Sequence, residues 1–259
     1  MPELPEVETV VRTLRPHLPG RRIVSAIFSS PFVTPGNRKA LARRFEDRTI
    51  VSVNRRGKFI VIELDQGTLT VHLGMTGRLL LDAPAGKHTY GVFTLDTGTL
   101  VYTDSRQFGR ILWNHDLSRL GPEPLEVGLA DFQAHMKQRK TSIKALLLNQ
   151  TFLAGMGNIY VDETLFAARV HPLAVAARLS APRVAAIHQH MREILGAAIA
   201  QGGSSISDYV DAQGNRGWFQ LQHHAYGREG EPCTACGTPI RKIIVAQRGT
   251  HYCPRCQKR

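Results

Sequence analysis

Cys233 and Cys236 form one Cys-x-x-Cys pair, and Cys253 and Cys256 form a second sixteen residues further on. Two intervening residues let both sulfurs of a tight turn reach one ion, and two such pairs at this separation make a tetrahedral four-thiolate zinc site. A closed set of four cysteines has no open position for substrate. The chemistry expected is therefore structural: one Zn2+ held by Cys233, Cys236, Cys253 and Cys256. The Ile243-Ile244-Val245 run between the pairs suits a β-hairpin, and Arg241, Lys242, Arg248, Arg255, Lys258 and Arg259 crowd the same segment. A metal-stapled hairpin presenting arginines is suited to contacts with DNA phosphates.

The charge of the whole chain points the same way. Thirty-three Lys and Arg stand against 21 Asp and Glu, giving +12 and a pI near 10.0. Such an excess favours a polyanionic partner, nucleic acid ahead of an anionic membrane surface. No apolar run approaches the ~20 residues that span a bilayer. The acidic start, Met1 to Glu6, lacks the apolar segment of a secretory signal, so a reducing cytosol is expected. In that compartment four cysteines serve a metal rather than disulfides.

The elements that must position these groups fall into three stretches, with no internal repeat. Val7, Val10, Val11, Leu14 and Leu18 recur at helical spacing, with Pro5 able to open the helix and Glu6 and Glu8 suited to the positive end of its dipole. From about Ile23 to Trp113 short β-type runs alternate with turns such as Asp65-Gln66-Gly67 and Asp96-Thr97-Gly98, which predicts an antiparallel sandwich or barrel. Gly121-Pro122-Glu123-Pro124 reads as a boundary. Helices are then predicted over Asp131–Gln138, Ser142–Asn149, Tyr160–Ala168 and Ala181–Gln201, the last capped by Ser180 and stopped by Gly202-Gly203. A polar, glycine-rich loop follows to Gly217, ahead of the cysteine segment.

Five strings resemble one family. They are Met1-Pro2-Glu3-Leu4-Pro5-Glu6-Val7-Glu8-Thr9, Arg55-Arg56-Gly57-Lys58, His72-Leu73-Gly74-Met75, Gly155-Met156-Gly157-Asn158-Ile159-Tyr160, and Arg248 to Gln257 with its embedded Cys253-Pro254-Arg255-Cys256. Together they resemble the bacterial formamidopyrimidine-DNA glycosylases from one end of the chain almost to the other. The resemblance implies an α+β multidomain protein. An N-terminal helix and antiparallel β-sandwich would occupy 1–121, a helix-two-turn-helix domain with a lesion loop 129–221, and a zinc β-hairpin 231–259. It also implies double-stranded DNA with oxidised bases or abasic sites as partner, a monomer with no membrane role, and a bacterial cytoplasmic, nucleoid-associated location. The chemistry implied is excision of oxidised purines followed by β,δ-elimination.

The resemblance gives Pro2 the role of nucleophile. Removal of Met1 would expose a secondary amine whose reference pKa, ~7.7–8.0 against ~10.4 for lysine, leaves far more of it neutral at neutral pH. Such an amine can attack the sugar C1′ as the base departs, and the resulting iminium acidifies the C2′ proton. Glu3 is expected to do acid/base work beside it, Lys58 to donate a proton and hold phosphate, and Arg248 to clamp the lesion phosphate. A permanently charged guanidinium suits the clamp better than proton donation. Met75, Arg106 and Phe108 are expected to fill the space a flipped nucleotide leaves, with Arg106 bonding the orphaned base. Gln107 stands where relatives often carry a second basic residue. His72, His88, Arg139, Lys144 and Asn158 are expected phosphate contacts. Glu6, Ile206, Ser207, Asp208, Tyr209 and Tyr226 are assigned to the lesion pocket.

Two other readings compete. Endonuclease VIII shares the architecture, favours oxidised pyrimidines and usually begins Pro-Glu-Gly-Pro-Glu; Leu4 here points to the purine branch. A non-catalytic damage sensor could use the same zinc hairpin but has no use for a Pro-Glu terminus.

Overall fold

The computed structural model describes residues 2–205 and 209–259. The chain divides into two compact units, residues 1–118 with 201–220, and residues 119–200 with 221–259.

The first unit opens with helix α1 (Leu4–Leu14), whose Val7, Val10, Val11 and Leu14 are fully or almost fully buried. The helix stops short of Pro16, which cannot continue it. Strand β1 (Arg22–Phe28) follows, then helix α2 (Arg38–Phe45), and then β2 (Arg48–Arg56), β3 (Phe59–Leu64), β4 (Thr68–His72), β5 (Gly77–Leu81), β6 (Thr89–Leu95), β7 (Thr99–Asp104) and β8 (Arg110–Trp113). The strands pair antiparallel in the order β5-β7-β6-β1-β2-β3-β4-β8. The β1–β2 link consists of two paired positions, Arg22 with Thr49 and Ile23 with Arg48. The array therefore behaves as two four-stranded halves hinged at one corner, a sandwich. Their inner faces supply Phe28, Ile60, Ile62, Val71 and Phe93 to one core, and α2 adds Phe45. Phe45 lies edge-on to Phe28, Phe93 and Trp113 with ring centroids 5.2 to 5.9 Å apart.

Helix α2 departs from the expected all-β stretch. Asn37 caps it by accepting the Ala40 N–H at 3.0 Å, and Ala42 and Phe45 bury one face. Its other residues are largely charged, so no apolar stripe announces it.

The second unit holds α3 (Leu129–Lys137), α4 (Ile143–Leu148), α5 (Asn158–Ala167), α6 (Ala181–Ala200) and the hairpin β9 (Arg241–Val245) with β10 (Arg248–Tyr252). Ser142 caps α4 through its hydroxyl. Helix α5 is buried continuously from Ile159 to Leu165, so it is the central element against which α4, α6 and β10 pack. Gly202 and Gly203 follow α6 at φ +74° and +80°, left-handed conformations that end a helix. No described helix is long and apolar enough to cross a membrane.

Candidate active site

At the start of the first unit, Pro2 and Glu3 are buried. Glu3 is the N-cap of α1 and forms a capping box: its side chain accepts the Glu6 backbone N–H, and Glu6 Oε2 accepts the Glu3 N–H at 2.8 Å. The other oxygen of Glu6 accepts the Ser204 N–H at 2.7 Å. The Glu6 carbonyl takes the Tyr209 hydroxyl at 3.1 Å. One acidic side chain thus ties the helix start to a segment some two hundred residues later. Gly203 makes this possible: at φ +80°, a Cβ there would stand 2.8 Å from Glu6 Oε1.

Glu6 therefore does more than complement the helix dipole. Tyr209 is 7% exposed within the sandwich core, and burial foremost, with the Glu6 carboxylate second, pushes its phenol up. Its side chain anchors this segment rather than facing a ligand. Ile206, Ser207 and Asp208, like Met1, lie outside the described residues.

A cationic cluster sits at one end of β3 and β4. Lys58 follows the Gly57 turn and is 8% exposed. His72 pairs across the strands with Phe59 on one side and Arg110 on the other. Burial first, and then Lys58, Arg110 and His115, lower the His72 pKa to about 4. The Gly74 N–H donates to His72 Nδ1 at 3.2 Å, so the neutral ring carries its proton on Nε2. A phosphate would meet an uncharged donor there. Arg55 is turned inward, its Nε donating to Glu8 Oε2 at 3.0 Å.

Met75, Arg106 and Phe108 are exposed on two neighbouring turns, with the Arg106 guanidinium 4.7 Å above the Phe108 ring. Gln107 between them has φ +55° and accepts the Ser30 hydroxyl at 2.6 Å. Its side chain is thereby directed at Ser30, a residue itself buried. His88 is exposed, and its carbonyl accepts the Asp104 N–H at 2.9 Å.

In the second unit, Arg139 is exposed just beyond α3. Lys144 is not a phosphate contact as expected. Its side chain is 0% exposed and its Nζ lies 2.6 Å from Asp162 Oδ1. An ammonium enclosed and paired in this way cannot reach a ligand without unpacking α4. Lys144 instead reaches toward the Gly249 carbonyl at 3.4 Å, next to Arg248, where the Asn158 amide also donates at 2.8 Å. Asp162 Oδ2 accepts the His251 N–H at 2.8 Å, so the same carboxylate also holds β10. Arg248 is exposed at the hairpin tip, just after Ala246 and Gln247, which have φ +48° and +59°.

Tyr226 belongs to a small aromatic group, its ring edge-on to His251 at 5.3 Å and to His223 at 5.8 Å. Its N–H, with those of His224 and Ala225, is accepted by Glu163 at 2.7 to 2.9 Å. Burial raises the Glu163 pKa, and these three backbone donors oppose the rise. Sequence reasoning missed Glu163, Asp162 and Asp104. The signal for Asp162 and Glu163 was an acidic pair inside the apolar run Ile159 to Leu165; Asp104, between Thr103 and Ser105, gave none.

The four cysteine sulfurs lie within 4.8 Å of one another, with Cys233 and Cys256 3.9 Å apart and Cys236 and Cys253 3.5 Å apart. Tetrahedral zinc with Zn–S bonds of ~2.3 Å requires sulfurs about 3.8 Å apart, so the donor set fits the ion. Gln257 braces the second knuckle, accepting the Cys253 N–H and donating to the Val170 carbonyl.

A helix on an antiparallel sandwich, a helical unit and a four-thiolate hairpin together define a zinc-finger protein of the helix-two-turn-helix class. Three family models match in succession: the formamidopyrimidine-DNA glycosylase N-terminal domain over residues 1–111, the H2TH domain of the same family over 120–210, and the zinc finger found in FPG and IleRS over 230–259. The chain belongs to the formamidopyrimidine-DNA glycosylase family. It is 53% identical to the formamidopyrimidine-DNA glycosylase of Solibacter usitatus and 43% identical to that of Geobacillus kaustophilus, with all of each chain covered. Among solved structures it resembles a Lactococcus lactis FPG variant in complex with Fapy-dG-containing DNA, at a TM-score of 0.91, 38% identity and full coverage of both chains. It is equally similar, at a TM-score of 0.91 and 37% identity over 99% of this chain and 100% of the other, to the same organism's Fpg bound to DNA with an abasic site.

Proposed function

We propose that this chain is a bifunctional DNA glycosylase and abasic-site lyase that removes oxidised purines and uses the Pro2 nitrogen as its nucleophile. Family membership supports the glycosylase, and relatives of this kind are known from bacteria. The observation that carries the assignment to this end of the chain is the Glu6 bracket. It ties the Glu3 backbone, next in the chain to Pro2, to the backbone of Ser204, two residues ahead of Ile206 in sequence.

The chemistry follows from the groups present. The neutral Pro2 amine attacks C1′ while the base leaves with the electrons of the glycosidic bond. Glu3, beside the amine, shuttles the protons of base release and sugar-ring opening. Loss of the C2′ proton from the iminium expels the 3′ phosphate, and a second elimination expels the 5′ phosphate. Lys58 and His72 supply donors for flanking phosphates, as do Arg139, Asn158 and the Arg248 clamp. Zinc, held by the four cysteines, folds the hairpin that carries Arg248. A cytoplasmic, nucleoid-associated location is part of the same proposal, and the +12 charge is compatible with it.

Borohydride reduction with 8-oxoguanine duplex DNA is expected to trap a covalent adduct mapping to residue 2. Pro2→Gly is expected to reduce trapping while zinc content and DNA binding persist. Trapping that survives in protein still bearing Met1 would overturn the nucleophile. Thymine glycol supplied in competition tests the pyrimidine alternative, and binding without base release would identify a sensor.

A further inference from the structure

Two turns far apart in sequence carry the exposed side chains assigned to fill the duplex gap: residues 73–76 with Met75, and residues 104–109 with Arg106 and Phe108. Asp104 lies between them, at the end of β7, and is 1% exposed. Its Oδ1 accepts the Thr76 hydroxyl at 2.5 Å and the Arg106 N–H at 3.1 Å. Its Oδ2 accepts the Gly109 N–H at 2.8 Å and the Tyr102 hydroxyl at 3.2 Å. One carboxylate therefore gathers donors from the first turn, from both ends of the second, and from the core strand beneath.

The two backbones also touch. Gly74 has φ +62°, and a Cβ there would lie 2.5 Å from the Gly109 nitrogen and 2.6 Å from the Phe108 carbonyl carbon. The Thr76 hydroxyl accepts the Arg106 N–H as well, at 3.2 Å. Gln107, turned to Ser30, pins the second turn from its other side and leaves Arg106 and Phe108 facing outward.

We propose that Asp104 is a positioning residue that fuses the two turns into one rigid wedge, so that Met75, Arg106 and Phe108 enter the duplex together. The proposal rests on the gap-filling reading of those three side chains. The physical reason for such a device is that extruding a nucleotide costs stacking and pairing at once. A wedge whose parts had to be ordered separately would spend binding energy on that ordering. Charge-assisted hydrogen bonds to an enclosed carboxylate do the ordering in advance. Asn at this position would keep the size but replace two acceptor sites with donors. Whichever way its amide turned, a backbone N–H, of Arg106 or of Gly109, would face another donor.

The test compares Asp104→Asn, Thr76→Val, Thr76→Ser and Met75→Ala with the parent chain, each confirmed to carry zinc. Three quantities are measured: single-turnover base release from duplex 8-oxoguanine DNA, fluorescence of a 2-aminopurine stacked beside the lesion, and cleavage of a single-stranded oligonucleotide with a preformed abasic site. That last substrate has no stack to hold open. Asp104→Asn and Thr76→Val are expected to slow duplex base release about tenfold, the effect of losing one hydrogen bond to a charged acceptor. Both should blunt the fluorescence change. Thr76→Ser should restore both readouts, and single-strand cleavage should stay within about twofold of the parent. Equal losses on duplex and single strand would overturn the proposal in favour of a general structural role. Parent-like behaviour of Asp104→Asn and Thr76→Val beside an impaired Met75→Ala would overturn it and leave the gap-filling reading intact. A parent-like Met75→Ala would remove that reading itself.

Discussion

Lys144 and Asp162 meet at 2.6 Å in the interior of the helical unit, with side chains 0% and 1% exposed. The pair connects α4 to α5, and through Asp162 Oδ2 and the Gly249 carbonyl it connects both helices to β10. A charge so enclosed is costly to leave alone, and removing one partner of a buried pair typically costs about 3–5 kcal/mol.

Lys144→Met is therefore expected to lower the stability of the second unit by about 3 kcal/mol or more. Under conditions where the variant remains folded, its DNA binding should keep the parent dependence on salt. A true phosphate contact would lower that log–log slope by roughly one unit. Urea unfolding and salt-dependent binding isotherms check the two halves of the expectation.

Glu6→Gln should loosen the bracket at the start of α1. An amide can accept only one of the two backbone N–H groups that the carboxylate now serves, and it presents a donor to the other. The expected cost is about 1–3 kcal/mol. Base release should slow by roughly tenfold or more if the bracket orients Pro2. Thermal melting and the rate of borohydride trapping read the two effects separately.

His72 makes stability depend on pH in a definite direction. Its folded-state pKa is about 4 against 6.5 for the free side chain, so the unfolded chain binds more protons between those values. The penalty is absent above 6.5, grows as pH falls, and levels off below about 4 at roughly 3 kcal/mol. His223, lowered to about 4 chiefly by burial, adds a similar slope in the second unit. His72→Gln should flatten the contribution of the first unit to the curve of urea midpoint against pH.

The turn of the zinc hairpin is strained. Ala246 and Gln247 both hold positive φ, the geometry of a type I′ turn, for which Asn-Gly is the favoured pair. Replacing them with Asn and Gly together should stabilise the hairpin by about 1–2 kcal/mol. The readout is slower zinc release to a chelator, with DNA affinity unchanged. Stripping the metal completely should unfold the hairpin and abolish the Arg248 clamp.

Local patterns made much of this molecule readable. The Val7–Leu14 spacing, Ser142 as a cap, Gly202-Gly203 as a stop and the paired cysteines each act within a few residues, so sequence order reports them directly. The residues assigned to catalysis were named from strings that resemble a family. The partners of Glu6 were not, because Ser204 and Tyr209 meet it only through tertiary folding. Lys144 looked like one more surface cation because nothing nearby in sequence shows that Asp162 will enclose its charge. Helix α2 escaped notice because its polar residues outnumber the two it buries. Asp104 followed a β-type run and gave no hint of the four donors it would gather.

Pro2 is buried once α1 is seated, whereas an aminopeptidase must grip an extended, accessible end. On the chemistry proposed here, trimming of Met1 is consequently a task for the nascent chain, completed before docking. A molecule that folds too early carries an amide in place of the amine. It would still take up zinc and occupy lesions, and so would shield damage instead of repairing it. Extra residues fused ahead of Pro2 in recombinant protein would have the same outcome, which makes the opposite terminus the place for an affinity tag.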